Sequence, residues 1–102
     1  MKKALLIGID DYPTSPLGGC VNDAVAIANT LERNGDGSPN FSNRLITSNE
    51  DRVTSSVIST ALSKLFEGDA DTALFYFAGH GIINQETNAG YIVSQDGGKG
   101  AW

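Results

Sequence analysis

The run Thr72-Ala73-Leu74-Phe75-Tyr76-Phe77-Ala78, closed by Gly79-His80-Gly81, constrains this chain more than any other stretch, and it holds the only histidine present. Aromatic and apolar side chains on both faces of a short segment mark a buried parallel strand, covered by helices above and below. Two glycines around the histidine predict a tight turn there, with the imidazole carried at the strand's carboxyl end. Ligands and chemistry collect at that rim in an open α/β sheet.

The remaining elements follow from the same kind of pattern. Lys3 to Ile9 reads as a first buried strand that starts almost at the first residue, so no prodomain is expected ahead of it. Asp10 to Gly19, with Pro13, Pro16 and Gly18-Gly19, then carries the chain over the sheet edge. From Cys20, apolar residues at Val21, Ala24, Val25, Ala28 and Leu31 recur at helical spacing, and Asn34-Gly35 supplies a stop. Asp36 to Asn43 reads as a surface loop and Arg44 to Thr47 as a short second strand. Ser48 with Asp51 fits a capping box for a second helix, whose Val53, Val57, Ala61, Leu62 and Leu65 line one face until Gly68. Tyr91 to Val93 is one more short strand before the glycine-rich stretch Gly97 to Gly100. The order β-α-β-α-β predicts an α/β fold with a parallel sheet between helices.

Bulk properties exclude several partners. The chain has 102 residues, 40% of them hydrophobic, which suits a single core. Its net charge is -5, and its seven Lys and Arg residues are scattered, so neither nucleic acid nor an anionic membrane surface is an expected partner. Asp10-Asp11 ends the first apolar run too early for a secretory signal. One cysteine forms no internal disulfide, and no long apolar segment is present, which makes a reducing cytoplasm the expected location.

Parallel topology brings Asp10, Asp11, Cys20, Asp23 and His80 toward one edge. His80 there is either a general base, the commonest role of a catalytic imidazole, or a cap that bonds nearby backbone. The Gly81 amide is placed to face an oxyanion. Cys20 at a helix start is either a nucleophile favoured as thiolate or a buried structural thiol. Asp23 is either a first-turn acid held by the helix dipole or a pocket carboxylate for a basic side chain. Asp10 and Asp11 read as solvated loop acids ahead of any cation site.

Three blocks in order, Ala4-Leu5-Leu6-Ile7-Gly8-Ile9-Asp10-Asp11-Tyr12, Leu17-Gly18-Gly19-Cys20-Val21-Asn22-Asp23-Ala24 and Phe75-Tyr76-Phe77-Ala78-Gly79-His80-Gly81, resemble the caspase-like cysteine peptidases, most closely the metacaspase and bacterial branch. The resemblance covers about Lys3 to Asp96. It implies the three-layer caspase-hemoglobinase fold, a Cys-His dyad cleaving polypeptides, His80 as the dyad histidine and Gly81 as an oxyanion-hole amide. It also implies that Cys20 and Asp23 line the pocket for the residue before the scissile bond, with Arg or Lys favoured there. Calcium enters by resemblance alone, with Asp96 a candidate ligand. No cofactor is required by the chemistry, and the segment lacks the dense acidic cluster that a six-oxygen site needs.

The chain departs from the family at the nucleophile, which in caspase-type sequences lies about 50 residues beyond the histidine. Too few residues follow His80 here, and none is cysteine. The chain therefore reads as the front half of a peptidase domain, inactive alone, with an uncovered sheet edge through which it self-associates. A non-catalytic caspase-like scaffold is the alternative. A phospho-acceptor receiver domain also places an acidic pair after its first strand, but its third strand should end in aspartate. A dinucleotide-binding domain would need a G-x-G-x-x-G turn that is absent.

Overall fold

The computed structural model describes residues 1–96. Its elements run β1 (Lys2–Gly8), α1 (Cys20–Glu32), β2 (Phe41–Thr47), α2 (Ser55–Leu65), β3 (Thr72–Ala78), β4 (Gly81–Asn84) and β5 (Ala89–Ile92). The first, second and third strands form a parallel sheet in the order β2-β1-β3, and β4 and β5 form a separate antiparallel hairpin. The Gly97 to Gly100 stretch lies outside the described residues.

Alternation along β1 builds the layers. Ala4 and Leu6 face α1, packing with Ala28, Leu31, Phe41, Leu74 and Tyr76. Leu5, Ile7 and Ile9 face the opposite way, onto Ile46, Ile58, Ala61, Leu65, Phe75 and Phe77. Leu5, Leu6 and Ile7 are at most 1% exposed, so each contributes about 1.5–3 kcal/mol of burial. This is the expected α/β/α arrangement around a parallel sheet.

Several boundaries differ from expectation for identifiable reasons. β2 begins at Phe41, inside the stretch read as loop, because pairing with β1 from Lys2↔Phe41 to Gly8↔Thr47 overrides a local sequence rich in Ser and Asn. The second helix is capped by Thr54, whose hydroxyl accepts the Val57 N–H at 3.2 Å. Ser48, read as that cap, instead accepts the Asp10 N–H at 3.0 Å. Val53, 0% exposed, is a core residue ahead of the helix. At the end of α1 the chain leaves through extended Arg33, and the left-handed residue of the following turn is Gly37, not Gly35. Gly68 does take a positive φ just after α2, as a stop requires. Tyr91 and Ile92 pair with Ile82 and Gly81, so the late strand is half of a hairpin whose first half the sequence reading passed over.

β3 matches its expected span but not its expected burial. Among the described residues it pairs only with β1, and Leu74 to Ala78 are half-buried. No helix among the described residues is long and apolar enough to cross a membrane.

Candidate active site

Register aligns Gly8 with Thr47 and Ala78, so the loops that follow the three parallel strands leave the sheet side by side. Asp10 is built into this edge, contrary to its reading as a solvated loop acid. Its carboxylate accepts the N–H of Cys20 at 2.8 Å and of Val21 at 3.3 Å, replacing the side-chain cap that Gly19 cannot give. Two of the four orphan donors of α1 are thereby satisfied, with negative charge at the positive end of the helix.

Of the two readings of Cys20, its surroundings disfavour the thiolate. Burial pushes the thiol up from its ordinary value, and the charge of Asp10, its hydrogen bond to the sulfur and the charge of Asp23 push in the same direction. The helix terminus that would favour thiolate is already neutralised by Asp10. No hydrogen bond joins Cys20 to His80 among the described residues. Asp23 lies exposed in the first turn of α1, its N–H donating to the Gly19 carbonyl at 2.9 Å. Asp11 is exposed, and its carbonyl accepts from Gln95 Nε2 at 2.8 Å.

His80 is half-buried at the rim, at the carboxyl end of β3. Its Nε2 lies 2.6 Å from the carbonyl oxygen of Ser15, in the loop that follows β1. A carbonyl only accepts, so Nε2 carries the hydrogen and Nδ1 of the neutral ring keeps the lone pair. Ser15 takes a positive φ of 57°, a conformation uncommon outside glycine, in presenting that carbonyl.

Tyr12 was not among the sequence-derived site residues. It is 5% exposed, its ring centroid lies 4.5 Å from that of His80, and its hydroxyl accepts the His80 N–H at 3.0 Å. The signal that could have found it is one large aromatic amid Asp, Pro, Ser and Gly in an exposed loop. Gly79 is needed for this contact. A Cβ there would lie 2.5 Å from the Tyr12 hydroxyl oxygen and 2.8 Å from Phe77 Cζ. Gly81 has no comparable steric demand, since its nearest neighbour would be the Tyr91 carbonyl at 3.5 Å. It is exposed at the start of β4. Because Val93 N–H bonds the His80 carbonyl, antiparallel alternation turns the Gly81 amide away from β5.

Among the described residues no group of three His, Cys, Asp or Glu side chains is arranged to hold a metal ion. Asp96, the candidate calcium ligand, accepts the Ser94 hydroxyl and the Ser55 N–H at the start of α2. These bonds, the hydroxyl first, hold its carboxyl below the usual range. A polar hollow of roughly 230 Å³ at the active edge is lined by Asp11, Ser48, Glu50, Asp51, Arg52 and Gln95. Another hollow, of about 410 Å³ beside Lys3, Arg44 and Lys64, lies at the far end of the strands and includes none of these groups.

A search of curated protein sequences found no significant match. A family model described as Caspase domain matches residues 1–99. A three-stranded parallel sheet between two helices, with a histidine at the carboxyl end of its third strand, accords with that match. The chain belongs to the caspase-domain family.

Proposed function

We propose that this chain supplies the histidine side of a metacaspase-like cysteine endopeptidase site acting on polypeptides in the cytoplasm. The observation that carries the reading is the His80 imidazole at the sheet's carboxyl edge, its Nε2 tied to Ser15 and its Nδ1 left for proton transfer. In this scheme Nδ1 takes the proton of a cysteine thiol, and the sulfur attacks the scissile carbonyl carbon. The Gly81 amide donates to the resulting oxyanion, and the imidazolium returns its proton to the leaving amine. Asp23, with Asp11, Glu50 and Asp51 exposed along the same edge, supports a basic residue before the cleaved bond.

The nucleophile is a cysteine other than Cys20, supplied from sequence beyond the histidine, so the chain by itself is inactive. Fluorogenic peptides ending in Arg, Lys or Asp should give no turnover above buffer with this chain. A longer form carrying that cysteine should cleave after Arg or Lys and lose activity on His80→Ala. Cleavage by the short chain, or only after Asp, would overturn the proposal. Cys20 is the one cysteine of this sequence, and burial and Asp10 disfavour its thiolate, so no residue of this chain serves as the nucleophile and a non-catalytic caspase-like scaffold is the second reading. An inactive longer form with an intact fold would establish that reading.

The outer edge of β3 is unpaired among the described residues, and Phe66 and Ile83 are 68% and 70% exposed. We propose that the chain self-associates through this edge. Sedimentation should show a mass that grows with concentration, whereas a concentration-independent monomer would contradict it.

A further inference from the structure

We infer that Tyr12 is the positioning residue for His80, acting through its hydroxyl as a bridge inserted into the hairpin ladder. This inference rests on the reading of His80 as the general base, but its readout does not depend on turnover. The β4–β5 register, continued one step, sets His80 opposite Val93. A hydrogen-bonded antiparallel pair exchanges two bonds between its backbones. Only one is direct here, from Val93 N–H to the His80 carbonyl at 2.9 Å. The other is replaced by a relay, in which the His80 N–H donates to the Tyr12 hydroxyl at 3.0 Å and that hydroxyl donates to the Val93 carbonyl at 2.7 Å.

One buried oxygen therefore holds the two strands apart at the histidine. The phenol ring lies against the imidazole, and the loop that carries Tyr12 also presents the Ser15 carbonyl to Nε2. Backbone, ring plane and tautomer of His80 are thus set from a single loop. Burial pushes the Tyr12 phenol above its ordinary value, with the His80 N–H opposing, so the hydroxyl keeps the proton that the Val93 carbonyl receives. Without the hydroxyl, His80 N–H and Val93 C=O either close on each other or lose their partners. Closure draws the histidine toward β5 and away from Ser15.

The single histidine makes the test direct. In the chain labelled with 15N-histidine, the neutral wild-type ring should show one protonated and one unprotonated nitrogen. Tyr12→Phe should draw the two ring signals together as both tautomers become populated, and the His80 amide should exchange with solvent about tenfold faster. Gly79→Ala, which keeps the hydroxyl but drives a methyl into it, should produce the same spectral change. Its additional effect should shrink in the Tyr12→Phe background. Unchanged ring signals and His80 amide exchange in Tyr12→Phe, with only a lower melting temperature, would overturn the inference and leave Tyr12 a packing residue. A failed peptide assay would instead bear on the catalytic reading alone, because the ring spectrum is read without substrate.

Discussion

Gly8→Ala is expected to lower the unfolding free energy by about 2–3 kcal/mol, and the melting temperature by roughly 10 °C or more. Gly8 ends β1 where α1 begins to cross it. A Cβ there would lie 2.7 Å from the Cys20 carbonyl oxygen, 2.9 Å from Val21 Cα and 2.9 Å from Ala24 Cβ. Two of these three atoms are backbone, so no rotamer change relieves them and the whole first turn of α1 must lift. Alanine would gain about 0.4–1 kcal/mol by restricting the unfolded chain. The overlap is several times larger, so destabilisation wins. Gly18→Ala is the control, since a Cβ there meets nothing within 4 Å and its φ is not positive, and it should be neutral or slightly stabilising. Urea melts that rank Gly8→Ala with Gly18→Ala would refute the close packing of strand on helix.

The lifted turn carries Cys20 and Asp23 and is held by Asp10, so the same substitution tests how the edge is assembled. Lifting the turn would expose the Cys20 thiol to water and, by breaking the Asp10 bonds to the Cys20 and Val21 amides, carry it away from that carboxylate, easing the burial and the charge that push the thiol up. Cys20 should then label faster in Gly8→Ala than in the parent chain. Fold stability and thiol chemistry are linked here through one glycine.

What could be read from the sequence was what local pattern decides. β1, α1 and β3 were legible because uninterrupted apolar runs and a helical apolar period survive any tertiary arrangement. The start of β2 was not, because Ser42, Asn43 and Arg44 sit on an edge strand and resemble a loop until β1 pairs with them. The cap of α2 went to Ser48 on a capping-box spacing that Thr54 satisfies by contact instead. β4 has only four residues, Gly-Ile-Ile-Asn, too short for a period to show.

The same division runs through the site. His80 was legible because chain order alone puts the end of β3 beside the end of β1. Asp10 was underrated because its work, capping a helix ten residues on, depends on how the intervening loop folds back. Tyr12 was missed because its partners, His80 and Val93, are far along the chain. An aromatic residue in a polar turn signals burial, but not which backbone groups it bridges.

Gln95 is the extreme case of a residue that only tertiary structure explains, and Gln95→Leu should cost about 2–4 kcal/mol. The side chain is 4% exposed and joins three segments at the active edge. Its carbonyl accepts the N–H of Val53, a fully buried residue, and its amide donates to the Asp11 carbonyl at 2.8 Å. Its own N–H donates to the Val53 carbonyl at 2.8 Å, a bond the substitution leaves intact. Leucine matches the volume but strands one donor and one acceptor, each at a cost of about 1–3 kcal/mol when buried. Gln95→Glu separates the two bonds. Its carboxylate still accepts from Val53 but opposes the Asp11 carbonyl, so at neutral pH it should be at least as damaging as leucine. A protonated carboxyl restores the donor, and burial raises the folded-state pKa above the unfolded value. Stability of Gln95→Glu relative to the parent should therefore recover as pH falls through that raised value, while Gln95→Leu gains nothing from acid. Parallel pH profiles for the two variants would show that the Asp11 bond carries no weight in holding the edge together.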